Sequence, residues 1–230
     1  MKTIWLIWWL SRESTREYYR YINEMTREQL WWSSSAKIIM YSFNFQEITD
    51  LVYANKLDEV DKKILSVAKQ LKNAWTDVIL ICTNFMHRFF ELIQSNIWVP
   101  MIHIWRETGK EISKKWFKKI WLMWARWTMQ EDFYKKVLKE EFNIESILPS
   151  QEDQDRMHEC IFQRLCAWIF IPEDKQRLLD IIINLTKKWA EGIVLGCTEL
   201  PLVIFQDDCD TPVFNTMEIH SRSAVEFSLR

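Results

Sequence analysis

The chain has 230 residues, 48% of them hydrophobic, and a formal net charge of −2 at pH 7. That is enough apolar material for a substantial core, and the near-neutral balance argues against nucleic-acid binding, which shows as a basic patch. Five cysteines at wide, irregular spacing, with no C-x-x-C, argue against a disulfide framework or a zinc site, so a reduced, cytoplasmic protein without a metal is expected. Two counts are abnormal: three glycines and 14 tryptophans. Glycine is the residue that tolerates φ > 0, and an average chain has about 7% of it. Either the turns here are unusual, or other residues stand where glycine would serve.

In chain order, TIWLIWWLSRESTREYY (3–19) comes first, an apolar run that switches abruptly to charge. The apolar part is too short to span a bilayer, which takes about 20 residues. No small-residue cleavage site follows it, which argues against a secretion signal. The stretch reads as buried strand, tight turn and helix, with Ser14 and Glu17 at capping-box spacing and Tyr18, Ile22 and Met25 on one helical face. Trp8 and Trp9 fall in the turn, where small residues are usual. Further strands are expected at 37–42, 77–82, 99–103, 119–124, 144–148, 192–196 and 212–214. Between them lie amphipathic segments, clearest at 58–74, where Val60, Ile64, Val67 and Leu71 repeat at helical spacing. Other helices are expected to start at Thr128 (a capping box with Glu131), near Gln151, and at Pro172, a residue suited to a first helical position. The alternation predicts an α/β fold, a parallel sheet with helices on both faces. Paired lysines along the helices read as solvated faces.

DVILICTNFMH (77–87) and GIVLGCTELPL (192–202) are each an apolar strand ending in Cys-Thr, and Cys82 and Cys197 stand 115 residues apart. Two similar halves are therefore expected, each offering a strand's carboxyl end to a shared cleft, where ligands of open α/β sheets bind. A thiol such as Cys197, just beyond a strand and facing helix-terminal amides, can act as a thiolate, although free cysteines are also among the most commonly buried residues. Cys160 and Cys166 look like helix-face packing residues, and Cys82 and Cys209 have weak claims. Asn84 is a good N-cap, and the amides after it suit a carboxylate. His87 reads either as a donor behind the site or as a packed helix residue, with His103 similar. His158 and His220 show no partner. No P-loop, dinucleotide fingerprint or metal-ligand spacing is present.

The order of apolar strand, SRESTREYYRYINE, CTNFMH, WARWTMQEDFY, GCTELPL and PVFNTMEIH resembles the aspartate/glutamate racemase family, whose members work without pyridoxal phosphate. The similarity runs in unbroken register over 1–229. It implies two pseudo-symmetric α/β lobes, 1–102 plus 208–230 and 103–207, each a parallel sheet flanked by helices, with the active site in the interlobe cleft. It also implies a homodimer with no cofactor, acting on a small amino acid, with no nucleic-acid or membrane partner. Two residues would flank the substrate Cα, one on each face. Cys197 in GCTE matches the second-lobe position, and Thr83 in T-N-F-M-H stands at the first-lobe position. A threonine hydroxyl is too weak an acid to supply an anionic base near neutral pH, so the enantiomer whose Cα–H faces Cys197 should react better, and the resemblance implies that this is the L form. Substrate binding would fall to the amides of Asn84, Phe85, Thr198 and Glu199, with a loop at Leu10 and Ser11 closing over the ligand.

The resemblance also locates departures. Trp5, Trp8, Trp9, Trp31, Trp32, Trp75, Trp116, Trp121, Trp124, Trp168 and Trp189 stand at its glycine positions. Phe85 replaces a threonine, Val52 a glutamine, Asn44 and Asn215 aspartates, and Trp105, Arg106 and Glu107 a small-acidic-small stretch. Tryptophan at φ > 0 strains a backbone by about 1–3 kcal/mol per site. The alternative expectation is thus a racemase-derived scaffold whose pocket is filled by Trp and Phe. Maleate-isomerase-like or hydantoin-racemase-like chemistry would present cysteines on both faces, and Thr83 counts against it.

Overall fold

The computed structural model describes residues 1–8, 12–70, 76–187 and 190–230, which form two compact units, Met1–His103 with His220–Arg230 and Ile104–Ile219. In the first unit the chain runs β1 (Thr3–Trp8), α1 (Arg12–Leu30), β2 (Lys37–Ser42), α2 (Phe45–Tyr53), α3 (Leu57–Gln70), β3 (Val78–Ile81), α4 (Phe90–Asn96) and β4 (Met101–Ile102). The second unit contains α5 (Ile104–Lys114), β5 (Lys119–Met123), α6 (Arg126–Met129), α7 (Phe133–Lys136), β6 (Glu145–Ile147), α8 (Gln151–Glu159), α9 (Pro172–Thr186), β7 (Gly192–Leu195) and β8 (Val213–Asn215). The last helix, α10 (Thr216–Leu229), begins in the second unit and ends in the first.

Each unit holds a four-stranded parallel sheet, in the order β2-β1-β3-β4 and β6-β5-β7-β8. The second order is the first with four added to every number, so the halves share one topology. The fold is α/β, with the expected strands all present. The central strands β3 and β7 are buried at every residue, as parallel strands covered on both faces must be. Continuous apolar runs were therefore their sequence signature. Helix α3 buries Val60, Ile64 and Val67 along one stripe, and Val60 and Ile64 share a core cluster with Trp5, Ile7 and Ile79. Leu71, the next member of that stripe, lies outside the described residues.

Helix starts differ from expectation in two places. Helix α1 runs from Arg12, so Ser14 is buried in its first turn instead of capping it, and Glu17 pairs with Arg20 at 2.7 Å. Thr128 lies inside α6, whose N-cap is the extended residue Ala125. The starts at Gln151 and Pro172 stand as expected, the former capped by Ser150, whose hydroxyl accepts from the Asp153 N–H at 3.2 Å. The unit boundary also differs, since 208–219 were expected with the first lobe. Strand β8 pairs with β7 through Ile193↔Val213 to Leu195↔Asn215, and these ladder bonds tie that segment to the second unit.

Among the described residues no glycine has positive φ, whereas Trp31 (105°), Trp116 (62°) and Trp168 (60°) do. Each follows a helical segment and returns its N–H to that segment, to the carbonyls of Arg27, Ser113 and Leu165 respectively. This is the left-handed helix stop that glycine normally fills. Trp31 and Trp116 are 84% and 85% exposed, so no packing repays the strain there. Trp5, Trp121 and Trp124 are instead core residues. Trp9, Trp75 and Trp189 lie outside the described residues. Among the described residues no helix is long and apolar enough to cross a membrane.

Candidate active site

The two sheets present equivalent positions just past their third strands. The β1–β3 ladder runs from Ile4↔Val78 to Ile7↔Ile81, and the Cys82 N–H extends it by donating to the Ile7 carbonyl at 2.9 Å. The β5–β7 ladder runs from Ile120↔Gly192 to Met123↔Leu195, and there the Gly196 N–H donates to Met123 at 2.9 Å. Cys82 is therefore the counterpart of Gly196, and Thr83 is the counterpart of Cys197. The repeated Cys-Thr dipeptides of the sequence are one residue out of register with this equivalence. Cys82 is simply packed, and burial pushes its thiol well above the ordinary range.

Thr83 is buried, and its carbonyl accepts from His87 Nδ1 at 2.8 Å. A carbonyl can only accept, so the His87 proton resides on Nδ1. His87 packs among the rings of Phe90, His103 and His220, at 6.0, 5.0 and 5.5 Å between centroids. Burial, then the neighbouring His220, pushes His87 down to about 3. His220 has partners that the sequence did not reveal: it donates from Nε2 to the Ile102 carbonyl at 2.9 Å and accepts the Tyr18 hydroxyl at Nδ1, also at 2.9 Å. Burial pushes it, too, down to about 3. Asn84 does not cap as expected. Its backbone is already helical (φ −67°, ψ −43°), and its side chain makes no cap hydrogen bond to the 3₁₀ turn Phe85–Phe89. Phe85 is half-buried beneath the Arg88 guanidinium, 5.4 Å from its ring centre.

In the second unit, Cys197 is 8% exposed and donates from Sγ to Glu199 Oε2 at 2.9 Å. Thr198 Oγ1 donates to the same oxygen at 3.0 Å. Burial first, then the carboxylate of Glu199, pushes the Cys197 thiol well above the ordinary range. The sequence reading expected a poised thiolate, and this environment holds a neutral thiol. Cys166, read from sequence as a packing residue, also feels Glu199: burial first, then that carboxylate, pushes its thiol up. Behind Cys197, a Cβ on Gly196 would meet Trp124 Cε3 at 2.9 Å. Trp124 in turn packs on Trp105 and Tyr134, at 5.4 and 5.7 Å between ring centres. Leu10 and Ser11 lie outside the described residues.

The Asp/Glu/Hydantoin racemase family model matches residues 7–224. The broad specificity amino-acid racemase RacX of Bacillus subtilis (strain 168) is 29% identical over 171 residues, covering 73% of this chain and 72% of that protein. A solved chain from Yersinia pestis is 35% identical with a TM-score of 0.92, covering 100% of both chains. An aspartate racemase homologue from Pyrococcus horikoshii OT3 is 32% identical with a TM-score of 0.89, again over 100% of both chains.

Proposed function

From the premise that the chain belongs to the Asp/Glu/Hydantoin racemase family, we propose that it racemises aspartate- or glutamate-type amino acids without pyridoxal phosphate, favouring the L enantiomer. The observation that carries this is the ladder equivalence of Thr83 and Cys197, which singles out one residue per unit at matched strand ends. Cys197 takes the Cα proton, and Thr83 relays one to the opposite side of Cα. The asymmetry follows from acidity, because a thiol yields an anionic base far more readily than a hydroxyl. The carbanion is the difficult species, and amides that hold the α-carboxylate lower its cost. That task falls to Asn84, Phe85, Thr198 and Glu199, with Leu10 and Ser11 over the ligand. The enzyme is read as a cytoplasmic homodimer.

The test is loss of the Cα proton of L-aspartate and L-glutamate in D2O, followed by NMR, with Cys197→Ala as control. Exchange that disappears in the variant supports the assignment. A specific observation favours a second reading, that of a catalytically impaired scaffold. The Trp124 ring occupies the space beside Gly196, next to Cys197. A folded protein that exchanges neither substrate decides for the scaffold.

A further inference from the structure

Glu199 is 4% exposed, and its carboxylate is turned onto the Cys197 thiol at 2.9 Å, a close approach for a sulfur donor. The Thr198 hydroxyl donates to the same oxygen at 3.0 Å, and the Cys166 thiol lies close enough to feel its charge. A racemase that binds substrate through backbone amides leaves this side chain without a task. The electrostatics suggest one. A buried thiol beside a carboxylate does not lose its proton to water near neutrality, because two anions would then face each other in a site of low polarity. Moving the proton from Sγ to Oε2 avoids that state, since the pair keeps a single negative charge throughout.

We propose that Glu199 is the proton acceptor for Cys197, so that the base of the second unit is a thiol–carboxylate dyad sharing one proton. This rests on the racemase reading for its use and deepens it. In the first step the Sγ–H bond breaks and an O–H bond forms on Glu199, leaving a thiolate beside a neutral carboxyl. In the second, the substrate Cα–H bond breaks, its proton forms a new Sγ–H bond, and the electron pair stays on carbon. Reprotonation of that carbon from the Thr83 side completes the inversion. Glu199 then releases its proton to solvent while the Thr83 side regains one, which restores the resting state with no net change in protons.

A shared proton has a signature independent of turnover. The thiol/carboxylate and thiolate/carboxyl forms carry the same number of protons, so their ratio does not depend on pH. Alkylation of Cys197 by iodoacetamide, read by peptide mass spectrometry, should therefore be flat between about pH 6 and about pH 8 in the wild type. In Glu199→Gln the thiolate must form by loss to water, and the rate should climb about tenfold per pH unit. Glu199→Asp, which keeps a carboxylate, should retain the flat profile. In Glu199→Gln, Cα exchange of L-substrate should also fall about a hundredfold or more, the usual loss when a positioned base is removed. A carboxylate that merely holds the loop predicts a climbing profile in the wild type, and that result overturns the proposal. So does a Cys197 that stays unmodified at every pH while the half-buried Cys209 reacts. The wild-type profile decides even where Glu199→Gln does not fold. A flat profile without any substrate exchange keeps the dyad and removes the racemase reading.

Discussion

Acidification should unfold the first unit through two histidines. His87 and His220 are wholly buried, hydrogen-bonded as neutral rings, and held down to about 3, against 6.5 for an ordinary histidine. The unfolded chain therefore takes up protons before the folded one does. Stability is complete above 6.5 and falls as the pH drops through the window from 6.5 to about 3. At about pH 5 the linkage amounts to about 2 kcal/mol per histidine, and so about 4 kcal/mol for the pair, relative to about pH 7.5. At the lower pH Asp155 and Asp208, held below 3.8 by Arg126 and Lys175, keep their charge and their ion pairs. The assay is urea unfolding at both pH values, followed by tryptophan fluorescence. His87→Phe and His220→Phe each remove one titrating ring, and each should reduce the acid loss by about half. A wild-type loss below about 1 kcal/mol, or an undiminished loss in both variants, would refute the reasoning.

Three further outcomes follow from the geometry. Trp116→Gly should raise stability by about 1 kcal/mol, or Tm by about 2–4 °C, by relieving a left-handed residue that packs on nothing. Trp98, 74% exposed and not among the positive-φ residues, is the control, and Trp98→Gly should give no gain in the same thermal scan. Gly196→Ala should cost about 1–3 kcal/mol by pressing on Trp124, and a double-mutant cycle with Trp124→Ala should show most of that cost vanish. Arg164→Met should cost about 3 kcal/mol in chemical denaturation, because it strips the buried Asp174 of its ion-pair partner. Arg177, 3.6 Å from Asp174, tempers that loss, and adding Asp174→Leu should recover much of it.

What the sequence disclosed and what it hid divide along the reach of the interactions. Strands such as β3 and β7 were legible because burial on both faces writes itself as a continuous apolar run. Helix α9 was legible because proline suits a first helical position, and α3 because its stripe repeats locally. The misplaced starts at Ser14 and Thr128 arose where a capping pattern fell inside a helix. Contacts between distant segments left no trace. Tyr18 meets His220 across 202 residues, so His220 looked partnerless. Cys166 reaches Glu199 from another turn of the chain, so it passed for packing. The pairing of Thr83 with Cys197, instead of Cys82 with Cys197, is a statement about ladder register, which a repeated dipeptide cannot carry. Resemblance to a family had named Thr83, and the backbone hydrogen bonds make it the topological counterpart of Cys197.

The tryptophans at positive φ also bear on how the gene is decoded. Glycine's GGG and GGA triplets differ from UGG and UGA in the first base alone. Wherever the gene carries UGA for Trp31, Trp116 or Trp168, a translation apparatus that inserts glycine at UGA would put glycine at a helix end whose backbone has the conformation glycine prefers. Each such insertion would remove one indole side chain from the product. The intact mass of the protein isolated from its own cells therefore reports which residue the ribosome places there.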